Sequence, residues 1–310
     1  MMLDIYELNL FLVAAEVENF SKAASLLNLT QPAISMQIRN LEKKLDVSLF
    51  IRAGRTLALT EHGKSLIPLA REMVNRAKQV EEEIQSMKGD VVGHLKIGCS
   101  TSTGKYILPF LAAQFRQQHP RVQMSIYTHS RDIILEKLMN GLVQLAVVST
   151  EPTSKHVGHR HFFTDYMALV VPVDHPWAER SLIEPHELCE TNFLLRDSGA
   201  GTRKTMESFL SQMGIMIDDL NVVMELGNAE AISMAVEAGI GVAFIPRVVA
   251  LRSIEFGRIK EVPLAGGTLK RKIFMVHSHR QPATKAQTEF WEFVQQSAKA
   301  VLVNILRNES

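Results

Sequence analysis

The chain has 310 residues, of which 46% are apolar and 22% are charged. This composition is typical of a globular protein, and the length predicts two or three domains. The formal net charge of +1 excludes a chain that is basic throughout, and the sequence holds no run of about 18 apolar residues that would predict a membrane span.

Cysteine usage and the first residues both favour the cytoplasm. Cys99 and Cys189 lie far apart, so we expect a reducing compartment and no structural disulfide. The N-terminal segment is amphipathic and contains Asp4 and Glu7, which does not fit a signal peptide. Cys99 is a candidate redox residue, although a small buried strand residue is the favoured interpretation.

Three short helices are predicted before residue 46. Apolar residues between Leu8 and Ala15 give the first, Ser21 begins the second, and residues 28–30 form the three-residue connection expected of a helix-turn-helix. The third helix begins with Thr30 as its cap and Pro32 in its first turn. Its apolar residues recur at helical spacing and predict a buried stripe, formed by Ile34, Ile38, Leu41 and Leu45.

The opposite face of the third helix is small, polar and basic. It contains Pro32, Met36, Arg39 and Lys43, flanked by Ser35 and Asn40. A helix that is packed on one side and polar on the other suits the major groove of DNA. Residues 52–56 then predict a tight hairpin tip with two arginines, Arg52 and Arg55, which suits phosphates or the adjacent minor groove.

The local charge agrees with this hypothesis. Residues 20–60 contain six Lys or Arg and two Asp or Glu, a net charge of +4. Contact with phosphates depends on this local field more than on the charge of the whole chain. The alternative is a small three-helix bundle that contacts another protein.

Residues 3–66 resemble the winged helix-turn-helix of LysR-type transcriptional regulators. The resemblance is densest at Phe20–Ala24, Thr30–Ser35 and Leu59–Gly63. It implies that Gln31, Pro32, Ser35, Arg52 and Arg55 face DNA, and Ser21 and Thr30 complete the candidate interface. Met36 stands where the family usually has Arg or Lys; a thioether cannot bind guanine in bidentate fashion but can contact a thymine methyl group.

A single long helix is predicted after Thr60. Its apolar residues follow a heptad pattern typical of a two-stranded coiled coil: Leu66, Leu69, Met73, Ala77, Val80, Ile84 and Met87. The alternative is a helix that packs on its own domain. We favour dimerisation, because a reader of inverted repeats needs a two-fold partner.

Alternating strands and helices are predicted from residue 94 onward. One set comprises strands 95–99, 122–127 and 146–148 with helices 104–119 and 133–140, and a second comprises strands 168–172, 222–226 and 242–245 with helices 202–213 and 230–238. Strand 273–277 and helix 284–306 end the chain. Two such lobes form a ligand cleft of the periplasmic-binding-protein type, and this half also resembles the effector domain of LysR-type regulators.

The predicted fold class is therefore α/β with an N-terminal all-α winged helix-turn-helix, a long linker helix and a two-lobed effector domain. The expected bounds are 1–60 for the DNA-binding domain, 61–90 for the linker and 91–310 for the effector domain. Within the last, lobe I covers about 91–161 and 267–310, and lobe II about 162–266.

Two polar loops that precede helices are candidates for the effector site. Residues 100–104 are rich in hydroxyl groups, and residues 196–203 combine glycines with Arg196 and Arg203. Paired helix starts of this kind suit a small carboxylate, phosphate ester or sulfur oxyanion. The alternative is that they are ordinary helix caps. With the positions implied by the family, the candidates are Ser100, Ser102, Thr103, Ser149, Gly201, Thr202, Arg203 and Asn228.

The sequence offers no convincing catalytic set. It lacks GxSxG and HExxH motifs, and residues 199–205 lack the spacing of a phosphate loop. His156, His159 and His161 are predicted in a short basic loop, where a solvated loop is favoured over a metal site. The rival classes are a solute-binding module and a cleft enzyme.

We therefore predict a cytoplasmic transcriptional regulator of LysR type that is not an enzyme and needs no cofactor or metal. Its expected partners are double-stranded promoter DNA, a small effector, and further copies of itself in a dimer and then a homotetramer. RNA polymerase is a further candidate partner, and no membrane is expected.

Overall fold

The computed structural model of the chain describes residues 2–53, 56–87 and 89–307. The chain divides into two compact units. The first runs to Val92 and includes the short segments Asn140–Leu142 and Gln281–Lys285, and the second comprises the rest from Gly93 onward. No helix in the described part is long and apolar enough to cross a membrane.

The first unit consists of helices and one hairpin. Its elements are α1 (Ile5–Val17), α2 (Phe20–Leu26), α3 (Gln31–Leu45), β1 (Phe50–Ala53), β2 (Thr56–Leu59) and α4 (Glu61–Ser86). The second helix begins one residue before the predicted start, because the Asn19 side chain accepts a hydrogen bond from the amide of Lys22 and caps it. Thr30 occupies the cap position of α3, but its side chain makes no capping hydrogen bond.

The turn between α2 and α3 depends on Asn28. This residue has a φ of 55°, in the left-handed region that asparagine tolerates better than most residues. The predicted stripe of α3 then points inward, since Ile34, Ile38 and Leu41 are buried in one cluster with Leu8 and Phe11. Each such side chain contributes about 1.5–3 kcal/mol on burial, so the inner face of α3 is fixed by the core.

The second unit contains two α/β lobes. Its strands are β3 (Gly93–Cys99), β4 (Val122–Thr128), β5 (Leu145–Val148), β6 (Val157–Pro172), β7 (Asn192–Arg196), β8 (Asn221–Leu226), β9 (Ala243–Pro246), β10 (Ile259–Val262) and β11 (Leu269–Ser278). Its helices are α5 (Thr101–Tyr106), α6 (Leu108–Gln118), α7 (Arg131–Met139), α8 (Gly201–Ser211), α9 (Ala229–Glu237), α10 (Arg247–Glu255) and α11 (Lys285–Arg307).

Two long strands run through both lobes. Strands β4, β3 and β5 are parallel neighbours, β11 joins β5 in antiparallel fashion, and β6 joins β11. Strands β9 and β10 also pair with β6. Val157 on β6 packs in one cluster with Phe274 on β11, whereas Met167 on β6 packs in another with Leu269 on β11. The β6–β11 pair therefore connects the two hydrophobic cores.

The structure corrects several predicted elements. Strand β6 begins at Val157 rather than at residue 168, so His159 and His161 lie in a strand and not in the predicted loop. The predicted helix 104–119 is two helices, because Pro109 lies in the first turn of α6 and cannot donate to the preceding turn. Helix α10 and strand β10 were not predicted.

Candidate functional site

The outer face of α3 is open to solvent. Pro32, Met36, Arg39 and Lys43 are exposed, and the Met36 side chain is 56% exposed. Of the other candidates for DNA contact, Ser21 and Thr30 are exposed, while Gln31 and Ser35 are half-buried. The exposed candidates of α3 are therefore accessible from solvent, and Ser21 is exposed on the neighbouring helix α2.

Two polar contacts fix the position of α3. The ammonium group of Lys44 lies 2.7 Å from the Glu7 carboxylate on α1, which is buried. The Glu42 carboxylate accepts hydrogen bonds from the amides of Leu49 at 2.8 Å and Phe50 at 3.2 Å. The end of α3 is thereby tied to the start of the hairpin. Arg52 lies on β1, and Arg55 lies outside the described residues.

The hairpin is also held against the start of α4. The Thr60 hydroxyl donates to the Ser48 carbonyl at 2.6 Å and accepts from the Gly63 amide at 3.0 Å. A Cβ on Gly63 would lie 2.2 Å from the carbonyl oxygen of Leu49, so only glycine fits this contact. The ends of the hairpin are thus tied to both α3 and α4.

Helix α4 carries an exposed apolar row. Its Ala70 and Val74 pack into the core of the first unit. On a different side, most of the heptad residues remain accessible, with 59% exposure at Leu69, 48% at Val80 and 56% at Ile84. A row of this length on a single chain is unusual unless another surface covers it.

A cavity of about 180 Å³ lies in the second unit. It is smaller than the roughly 300–1,000 Å³ of pockets for drug-sized ligands. Five of the predicted effector residues line it: Ser100, Ser102, Ser149, Gly201 and Thr202.

Three predicted residues do not line this cavity. The Thr103 hydroxyl accepts from Ser100, and Asn228 caps α9 by accepting from the Ala231 amide at 2.7 Å. The guanidinium of Arg203 is engaged by Glu207 and Glu225 at 2.8 and 2.6 Å, and these hydrogen bonds raise its pKa. Local structure accounts for all three.

Positive charge dominates the cavity wall. Three arginines line it, Arg131, Arg196 and Arg271, whereas Asp197 is the single carboxylate among the described lining residues. Arg196 lies 3.0 Å from Asp197, and Arg131 lies 3.2 Å from Asp132. Arg196 belongs to a loop that the sequence analysis identified, whereas Arg131 and Arg271 are far from that loop in the chain and were missed.

Three buried polar atoms of lining residues lack a hydrogen-bond partner among the described residues: the Thr202 hydroxyl, the Nε–H of Arg131 and the Nε–H of Arg271. Thr202 and Arg271 are the deeply buried ones, at 4% and 3% exposure. Thr202 lies in the first turn of α8, whose cap position is held by Ala200, and it is one of the residues that line the cavity. Buried polar groups are normally paired, so these unpaired donors are candidates for contact with a bound acceptor.

The structure does not favour redox chemistry at Cys99. Burial raises the pKa of this thiol to about 12, so the reactive thiolate is scarce near neutral pH. His159 on β6 pairs with Glu151 at 3.0 Å. Across the described part of the chain, no group of three His, Cys, Asp or Glu residues could hold a metal ion.

Comparison with known proteins gives matches along nearly the whole chain. Residues 5–64 match the family model of the bacterial regulatory helix-turn-helix protein of the lysR family, and residues 88–299 match the LysR substrate binding domain. A probable RuBisCO transcriptional regulator of Trichormus variabilis is 31% identical over 275 residues, covering 88% of this chain and 82% of the relative.

Solved structures share the fold. Full-length OxyR from Pseudomonas aeruginosa aligns with a TM-score of 0.73 and 22% identity, covering 96% of this chain and 95% of OxyR. The regulatory domain of CcmR from Synechocystis, in complex with 2-PG, aligns with a TM-score of 0.61 and 22% identity, covering 66% of this chain and 96% of that domain.

Proposed function

Because this chain belongs to the LysR family of bacterial transcriptional regulators, we propose that a small anion in the cavity controls how it binds and bends promoter DNA. The exposed face of α3 is the observation that carries the DNA-binding role. We assign residues 1–60 to the DNA-binding domain, 61–90 to the linker and 91–310 to the effector domain.

The proposed DNA interface combines α3 with the hairpin. Arg39 and Lys43 are exposed while the other side of α3 is buried in the core, so the helix can enter a major groove without loss of packing. Glu42 keeps the hairpin beside α3. Met36 is exposed on α3 itself, and we propose that it contacts a thymine methyl group.

A gel-shift titration on the DNA upstream of its own gene tests this role. We expect a shift that prefers this sequence and weakens steeply with salt, since released counterions contribute to affinity. Lys260→Ala is a suitable control for the loss of a surface charge, because Lys260 is an exposed lysine of the second unit. We expect this variant to shift the DNA as the wild type does. A protein that gives no salt-sensitive, sequence-preferring shift would instead be a solute-binding module.

The proposed effector is a small carboxylate, phosphate ester or sulfur oxyanion. The excess of arginine in the wall, the unpartnered Thr202 hydroxyl and the start of the eleven-residue helix α8 all favour negative charge. The neighbour CcmR was solved with 2-PG, which makes 2-PG one of the first compounds to test. A thermal-shift screen of inorganic anions and central metabolites on the full chain identifies the effector.

The proposed assembly is a dimer through α4, with a homotetramer as the complete unit. Exposed Leu69, Val80 and Ile84 support this role for α4, because a coiled-coil seam buries such residues. The effector would act by favouring one arrangement of the assembly over another through differential affinity.

The remaining proposals concern location and chemistry. A regulator of promoters works where the DNA is, so we place it in the cytoplasm, with RNA polymerase as a further partner when it activates. We propose that the effector is bound without reaction. The relative from Trichormus variabilis is named as a transcriptional regulator, and the cavity of this chain offers binding groups rather than a catalytic set.

A further inference from the structure

A buried charge pair lies where the two lobes are joined. Strands β6 and β11 align three cross-strand pairs, Met167–Leu269, Asp165–Arg271 and Phe163–Ile273. The outer two pairs are apolar, and all of these side chains are buried. The central pair thus places a guanidinium and a carboxylate inside an apolar stretch of the strands that connect both cores.

The carboxylate of this pair is fully engaged, but the guanidinium is not. One oxygen of Asp165 accepts from Arg271, and the other accepts from the Tyr166 amide at 2.8 Å. The Nε–H of Arg271 has no partner within the described residues, and Arg271 lines the cavity. Stability alone does not explain a buried ion pair, because well-packed apolar residues at the same positions often make a protein equally stable.

The Thr202 hydroxyl supplies a second donor in the same wall. It comes from the first turn of α8, it is 4% exposed, and it too lacks a partner within the part of the chain that is described. Ser149 lies very close to the start of α8: a Cβ on Gly201 would be 2.2 Å from the hydroxyl oxygen of Ser149. The close contact of Gly201 with Ser149 leaves little room beside Thr202, which favours a compact acceptor group.

We propose that Arg271 is the residue that selects the effector's oxyanion, with the Thr202 hydroxyl as second donor and Asp165 as the residue that positions the guanidinium. This role rests on the effector function proposed above and adds the residue that reads the charge. The ligand class is a small molecule with a phosphate or carboxylate group that accepts from Nε–H of Arg271. A neutral polyol of the same size offers this donor only an uncharged hydroxyl oxygen, which makes a weaker hydrogen bond, so it binds less tightly.

Arg271 is better suited to this task than the other two arginines. The Nε–H of Arg131 also lacks a partner in the described part of the chain, but the Arg131 side chain is 31% exposed. The Arg196 side chain is 13% exposed, and both arginines are paired with their neighbouring aspartates. The side chain of Arg271 is 2% exposed, so its hydrogen bonds to a ligand are screened least by water. Its partner lies on the opposite long strand, so ligand binding at Arg271 acts directly on the pair that spans the lobe junction.

The test uses the full chain and a charge-neutral double variant, Arg271→Gln with Asp165→Asn. This change removes both charges, so no unpaired carboxylate remains buried. Arg247→Gln with Glu261→Gln is the matched control, because this pair lies 2.9 Å apart on other elements of the second unit. Calorimetry with inorganic phosphate, sulfate, 3-phosphoglycerate and glycerol measures binding, and circular dichroism checks the fold.

We expect the wild-type chain and the control to bind at least one of the three anions and to bind glycerol less tightly. The Arg271 double variant should lose affinity for that anion by about tenfold or more, the effect of one hydrogen bond to a charged group. A folded double variant that binds within twofold of the wild type overturns the role of Arg271 but leaves the effector function intact. A wild-type chain that binds none of the anions overturns both.

Discussion

Replacing Glu42 by alanine should release the hairpin from the end of α3. The Glu42 carboxylate accepts from the amides of Leu49 and Phe50, and alanine would leave both donors without this acceptor. The buried stripe of α3 would remain in place, because Ile38 and Leu41 pack into the core independently of Glu42. The change therefore separates the position of the hairpin from the folding of the helices.

The expected cost follows from the two hydrogen bonds. A hydrogen bond to a charged acceptor contributes about 1.5–3 kcal/mol. Glu42 is half-buried, so the lower value applies to each bond and the total is about 3 kcal/mol. For a unit of this size, 1 kcal/mol shifts the melting temperature by roughly 4–8 °C. We expect the backbone amides of the hairpin to lose their protection from hydrogen exchange at a temperature more than about 10 °C below that of the wild type.

Hydrogen exchange measured by mass spectrometry at increasing temperature checks this value on the peptide of residues 46–53. Glu61→Ala is the control, because the Glu61–Lys64 pair is exposed and such pairs contribute little. Fluorescence anisotropy should also show weaker binding of Glu42→Ala to promoter DNA. Wild-type protection of that peptide in Glu42→Ala would refute the coupling of α3 to the hairpin.

Four further predictions follow from exposure and charge. Arg39→Ala should weaken DNA binding and reduce the salt slope by about one unit without changing dimerisation; an unchanged slope in anisotropy titrations excludes that phosphate contact. Val80→Glu should convert the dimer to a monomer in light scattering, since charge at a seam position opposes pairing; a persistent dimer would place the interface elsewhere. Thr202→Val should weaken anion binding in calorimetry by up to about tenfold, since it removes one donor to a charged group, and should keep basal DNA binding; an unchanged affinity excludes the hydroxyl. Cys99, whose pKa is raised to about 12, should resist alkylation at pH 8 while half-buried Cys189 reacts, and this protection should fall as the pH rises toward 12 or on unfolding; mass spectrometry that finds equal labelling contradicts it.

Local sequence patterns were enough to predict the fold of the N-terminal helix-turn-helix. The helical period placed Ile34, Ile38 and Leu41 on one side of α3, and the structure confirms that they are buried. The period is a property of consecutive residues, so no distant contact is needed to read it. The predicted LysR family and two-lobed fold class are likewise confirmed by the family models and the solved structures.

The cavity was only partly predictable, because its residues come from separate segments. Ser100 and Thr202 belong to segments that the sequence analysis identified by their hydroxyls and glycines, and both line the wall. Arg203 belongs to the same loop, but its side chain turns to Glu207 and Glu225, and no local pattern distinguishes those two directions.

The tertiary structure alone decided the lobe junction. Arg271 lies between Lys270 and Lys272 in the sequence and looks like one charge in an exposed basic strand. Pairing with β6 sets it opposite Asp165 and turns it inward, and strand register is fixed by contacts with a segment more than one hundred residues away. Sequence periodicity reports which face of an element is apolar, whereas the partner that a buried charge meets depends on how the chain closes on itself.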